Sequence, residues 1–144
     1  MDKTKDGTVL ALDVGAKRIG VALARHDVPM AKPLTTLAHT DTIFTDIAGL
    51  IQESHATVVV VGYPRGLEGQ ATEQTKTIEA FVEELKSHVD TRIEWQDETL
   101  TSVKAEAELA ARHKGGMYNK SDVDALAATY ILEDYITEHP GELS

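Results

Sequence analysis

Cysteine is absent from the 144 residues, which excludes disulfides, zinc–thiolate sites and thiol nucleophiles together. Any bound metal must then be held by oxygen ligands or histidines, and oxygen ligands favour magnesium or manganese. No apolar stretch approaches the roughly 20 residues of a membrane span, and Met1 to Gly7 is too polar to be a secretory signal. A cytoplasmic protein is the expectation. Internal repeats and low-complexity tracts are missing as well.

Basic residues are scarce. Lys and Arg total 14 against 24 Asp and Glu, a net charge of -10, and this argues against indiscriminate binding to nucleic acid, where neutralised phosphates supply most of the affinity. The imbalance is local, however. Residues 121–144 contain no Lys or Arg but six acids (Asp122, Asp124, Glu133, Asp134, Glu138 and Glu142), so they carry six of the ten excess negative charges. Residues 1–32 carry six basic groups against four Asp, leaving room for a basic surface near Asp13.

What is present suffices for one domain over residues 1–144, with a core from about 8 to 137; 42% hydrophobic and 26% charged residues are ordinary for a globular chain. Thr8 to Leu12 is an apolar run of strand formers that ends in Asp13, and Gly15 permits a reversal into a second apolar run, Ile19 to Ala24, lying antiparallel to the first. A carboxylate closing a central strand is costly unless it binds something, and a metal ion is the candidate; the competing account is an Asx turn within the hairpin. Pro29 and Pro33 bracket a segment that extends to Leu37 as an edge-like strand. Ile43, Phe44, Ile47, Leu50 and Ile51 fall at helical spacing after an N-cap at Thr40 or Asp41.

Thr57 to Val61 reads as an interior parallel strand covered on both faces. A loop is expected from Gly62 to Gln70, followed by a helix marked by Ile78, Phe81, Val82 and Leu85. Arg92 to Gln96 alternates as a strand, a helix capped at Thr99 or Thr101 runs to about His113, and a last helix extends from Ser121 to about Thr137. Two or three antiparallel strands are thus followed by helix, strand, helix, strand, helix, helix. The fold class is α/β, and the order resembles a ribonuclease H-like domain: a mixed sheet, antiparallel at first and parallel later, flanked by helices. In such open sheets ligands gather at the carboxyl ends of the central strands.

Two further places offer carboxylates. In Asp97-Glu98, extended alternation would put Asp97 on the face of Ile93 and Trp95 and Glu98 on that of Glu94 and Gln96, but a chain turning at this point leaves the choice open. Charge at a helix N-terminus is the alternative use of either residue. In the last helix Asp124 aligns with Ala127, Ala128, Ile131 and Tyr135, whereas Asp122 aligns with Ala125, Leu126, Thr129 and Glu133. The more buried stripe favours Asp124 as a site residue over a capping partner of Ser121. Three carboxylates on two strand ends and a helix can hold two divalent ions about 3.5–4 Å apart and cleave phosphodiesters without a nucleophilic side chain.

Four blocks in this order, Leu12 to Ala22, Gly62-Tyr63-Pro64 with Gly69, Asp97 to Ser102 and Val123 to Ala128, resemble the YqgF/RuvX family of the ribonuclease H-like superfamily, described as Holliday junction resolvases and pre-16S rRNA nucleases. The resemblance implies catalytic, metal-holding acids at Asp13, Glu98 and Asp124. It also implies a two-metal Mg2+ or Mn2+ site and action, as homodimer or monomer, on precursor rRNA or branched DNA. The chain departs from the family in having Thr99 where an Arg usually follows the Asp-Glu pair, which removes a bidentate phosphate contact. Arg65, in the glycine loop, is an unexpected cation that would compensate.

Lys17, Arg18, Arg65 and Lys76 are the candidate phosphate contacts, each weighed against simple solvation. The six histidines show no metal-ligand spacing. Two other functions compete. An actin/hexokinase-type phosphate binder would close two such domains around a nucleotide, and this chain has room for one. A non-catalytic ribosome-assembly or RNA-binding factor would gain nothing from three clustered acids.

Overall fold

A computed structural model describes residues 7–26, 28, 30–64, 73–98, 107 and 120–139. Strands β1 (Thr8–Val14), β2 (Arg18–Arg25) and β3 (Lys32–Ala38) lead to helix α1 (Ile43–Ser54). Strand β4 (Ala56–Pro64), helix α2 (Glu73–Lys86), strand β5 (Arg92–Glu98) and helix α3 (Lys120–Glu138) follow. The five strands form one sheet in the order β3-β2-β1-β4-β5. The hairpin partners β1–β2 and β2–β3 are antiparallel, and β1–β4 and β4–β5 are parallel. This is the mixed α/β sheet expected from the sequence, with β1 in the middle. The expected helix from Thr99 to His113 falls outside the described residues, apart from Ala107, which is helical.

Strand alternation sorts the side chains onto two faces. On one face Leu10, Leu12, Val14, Ile19, Val21, Val59 and Val61 pack against Ile43, Ile47 and Ile51 of α1 and Ile78, Phe81, Val82 and Leu85 of α2. On the other, Val9, Ala11, Ala22, Ala24, Val58 and Val60 meet Ala128, Ile131, Leu132 and Tyr135 of α3. The run Val58 to Val61 is apolar throughout because both of its faces are covered, and each such valine contributes roughly 1.5–3 kcal/mol through burial. The α3 face of the hairpin is built from small residues, Ala11, Gly20, Ala22 and Ala24, so the helix lies close to the sheet.

Most boundaries move by one residue or two, and three of the differences have a clear physical reason. The N-cap of α1 is Thr42, not Thr40 or Asp41; its hydroxyl bonds Asp46 Oδ2 at 3.1 Å, while Thr40 Oγ1 accepts from the Thr42 N–H at 3.4 Å. Gly62, Tyr63 and Pro64 belong to β4 and not to the following loop, because parallel pairing with Gln96, Asp97 and Glu98 extends the ladder past the glycine. For the same reason β5 continues to Glu98, two residues beyond the expected end.

Candidate active site

β1, β4 and β5 run in the same direction, so their last residues, with Asp13 next to the end of β1, collect at one end of the sheet. Asp13 continues the parity of Val9 and Ala11 and therefore stands on the α3 face. Its partner across the hairpin is Gly20, on the same face. A Cβ built on Gly20 would fall 1.9 Å from the carbonyl oxygen of Asp124, so the α3 backbone rests directly on this glycine. The absence of one side chain brings Asp124 beside the strand pair that carries Asp13.

Asp13 is half-buried. The Asp124 carboxylate, 19% exposed, accepts a short ion-pair hydrogen bond from Arg18 Nε at 2.6 Å, across 106 positions of sequence. Arg18, read from the sequence as a phosphate contact, thus has its guanidinium on an acid of the candidate site, with 32% of its side chain exposed. The turn that delivers Arg18 is closed by the Gly15 N–H donating to the Arg18 carbonyl at 3.0 Å. A Cβ on Gly15 would meet that same carbonyl at 2.6 Å, so no other residue fits there without opening the turn.

His39 is a residue that motif reasoning passes over. Its Nδ1–H donates to the Gly15 carbonyl at 2.8 Å, and its backbone N–H donates to the Lys17 carbonyl at 2.9 Å. Its ring meets Phe81 edge-on, centroids 5.4 Å apart. His39 therefore pins the turn behind Asp13 to the α2 side of the core. A lone histidine between a strand and a helix gives no sequence signal of this, since the contact depends on β2–β3 pairing.

Glu98 is the last residue of β5, opposite Pro64; its side chain lies outside the described residues, as does that of Asp122. The strand's phase is set by Gln96, which is buried and donates from Nε2 to Glu138 Oε2 of α3 at 2.6 Å. Glu98 shares Gln96's parity. Asp97 shares that of Ile93 and Trp95 and is exposed opposite Tyr63. Lys17 is exposed on the hairpin turn and Lys76 is exposed on α2, on the other side of the sheet; Arg65 and Thr99 lie outside the described residues. Among the described residues no three His, Asp or Glu side chains come together in a metal-holding group.

The sheet order, the hairpin start and the covering helices define a class, the ribonuclease H-like fold of junction resolvases. The structure of Thermus thermophilus RuvC with a Holliday junction substrate aligns over 92% of this chain and 95% of that one, with a TM-score of 0.52 at 10% identity. The fowlpox virus Holliday junction resolvase aligns over 91% and 98%, with a TM-score of 0.54 at 16% identity. Residues 7–138 match the RuvX family, described as Holliday junction resolvase, and the chain belongs to that family. A relative from Chloroflexus aurantiacus is 39% identical over 133 residues, 91% of this chain and 87% of that protein. One from Crocosphaera subtropica is 36% identical over 138 residues, 94% and 96%. Both are provisionally named pre-16S rRNA nucleases.

Proposed function

We propose that this protein is a metal-dependent nuclease that hydrolyses phosphodiesters of structured nucleic acid, with precursor 16S rRNA as its substrate and Asp13, Glu98 and Asp124 as its catalytic acids. The observation that supports this reading is that Gly20, the cross-strand partner of Asp13, also seats the backbone of Asp124, at the sheet end where β5 finishes. The RNA substrate is favoured over junction DNA by the names of relatives at 36–39% identity; the resolvases with solved structures, at 10–16%, speak to fold alone.

The donors suit a hard divalent cation: carboxylate oxygens without sulfur, carried on strands and a helix. Asp13, Asp124 and Glu98 would hold Mg2+ or Mn2+. Two such ions, when bound, supply a water nucleophile at neutral pH and charge compensation at the leaving oxygen. The chain's own part is to fix the ligands: Gly20 sets the height of α3 and His39 holds the turn, while Arg18 occupies the Asp124 carboxylate and would yield it to a metal. Lys17 and Arg65 would meet flanking phosphates and position the strand without reading its sequence.

The test is cleavage by purified protein of a precursor 16S rRNA 5′ segment and of a four-way DNA junction, each with Mg2+, with Mn2+ and with chelator. Metal-dependent cutting of the RNA is the expected result. Cutting of the junction alone would reassign the substrate, and failure on both under all conditions would leave a nucleic-acid-binding factor as the better account.

A further inference from the structure

Beyond the acids, the same sheet end carries an aromatic corner. Trp95 of β5 is 39% exposed, and it is the single tryptophan of the chain. Tyr63 of β4 stands edge-on to it, ring centroids 5.0 Å apart and planes at 77°. The Tyr63 hydroxyl donates to Glu79 Oε1 of α2 at 2.5 Å, which holds the phenol ring upright. Among the described residues these three line a mostly apolar cleft of about 300 Å³.

We propose that this corner is a stacking site for one unpaired nucleobase of the substrate strand, an inference that rests on the nuclease reading above. A flat apolar face with an upright wall suits a planar heterocycle, and the cleft is at the small end of ligand sites, nearer a base than a larger molecule. The Glu79 carboxylate at its rim repels phosphate, so the backbone is excluded and the base is admitted. Lys76, exposed one helical turn before Glu79, supplies the cation for a phosphate running past the mouth.

Position ties the corner to the chemistry. Trp95 precedes Glu98 by three residues, about 10 Å along an extended strand. The corner lies on the α1/α2 face, whereas Asp13 stands on the α3 face and Asp124 on α3 itself. A strand crossing the sheet end would thus place its scissile phosphate on one side and an unstacked base on the other. Sites that capture splayed bases are the usual way a protein selects single-stranded segments within structured RNA. The corner accordingly makes an unpaired nucleotide close to the cut a requirement.

Because Trp95 is the only tryptophan, its fluorescence reports on this site alone. The experiment titrates full-length Asp13→Asn protein, in Mg2+, with an end-labelled RNA hairpin carrying a four-nucleotide single-stranded tail and with the same hairpin blunt-ended. Anisotropy of the label measures binding and Trp95 emission measures stacking. The tailed hairpin is expected to bind with quenching and the blunt one without. Trp95→Ala is expected to weaken tailed-hairpin affinity roughly five- to hundredfold, the range for loss of a base–aromatic stack, with Trp95→Phe recovering most of it. Saturable binding of the tailed hairpin with unchanged Trp95 emission overturns the proposal without recourse to a variant that fails to fold. Cleavage by the wild-type protein then keeps the nuclease reading intact, whereas a protein that neither binds the tailed hairpin nor cleaves removes both readings together.

Discussion

Gly20 and Asp124 are in backbone contact: the helix carbonyl occupies the space where any side chain on the strand would begin. The obstacle is main chain and not the tip of a flexible side chain, so relief requires moving α3 off the sheet. Gly20→Ala is therefore expected to destabilise the fold by roughly 3 kcal/mol or more, a large part of a typical domain's stability. Urea unfolding should show a lower midpoint at an unchanged slope. A midpoint equal to wild type would mean that the helix rides higher than described.

The Arg18–Asp124 pair leads to a prediction about metal. A cation that already neutralises Asp124 competes with a divalent ion for the same carboxylate. Arg18→Gln should lower the melting temperature of the metal-free protein by about 3 °C, as expected for loss of about 1 kcal/mol in a partly exposed pair. Added Mg2+ or Mn2+ should then raise the melting temperature by more than it does in wild type. Titration calorimetry should show tighter metal binding by the variant, and weaker binding would make Arg18 a support of the site in place of a competitor.

The acids divide into those on the candidate face and their neighbours. Asp13→Asn, Glu98→Gln and Asp124→Asn should each reduce cleavage at least a hundredfold with the fold retained, because an amide keeps the shape but not the charge that holds the ions. Asp97→Asn and Asp122→Asn should stay within a fewfold of wild type, the latter losing at most about 1 kcal/mol of helix-end stability. Single-turnover cleavage rates and circular dichroism melts, run on all five, decide the matter. An inactive Asp122→Asn beside an active Asp124→Asn would reverse the assignment on α3.

For the cations, Lys17→Ala and Arg65→Ala should each weaken RNA binding across sequences and reduce the slope of log affinity against log salt by about 1. Filter binding at several salt concentrations measures this. Unaltered slopes in both would place the phosphate track elsewhere.

Much of this arrangement was legible in the chain. The burial of Ala127, Ala128, Ile131 and Tyr135 follows from apolar residues at helical spacing, but Ala125, Leu126 and Thr129 on the Asp122 stripe are buried as well, so α3 is covered on most sides and burial alone does not separate the two acids. The reach of β4 and β5 was not legible, because Gly62 and Pro64 punctuate like a loop and Asp97-Glu98 lacks apolar alternation; the ladder between the strands overrides both signals. Arg18–Asp124 and His39–Gly15 were invisible for a different reason. Each joins residues whose proximity is created by the assembled sheet, and no local pattern encodes a contact spanning 106 positions.

The bond from Gln96 to Glu138 has a consequence for how this chain can vary. It acts as a phase lock: in an element where faces swap at every step, it fixes the phase of β5 and sets Asp97 on the face away from α3. The turn between α2 and β5 can gain or lose residues without touching that phase. One residue inserted between Arg92 and Gln96 cannot be absorbed so quietly. Either Gln96 abandons Glu138 and Asp97 changes face, or Gln96 keeps its place and Ile93 leaves the core face, or the strand bulges to restore the count, and only a bulged descendant would retain both the core contact and the phase of its ancestor.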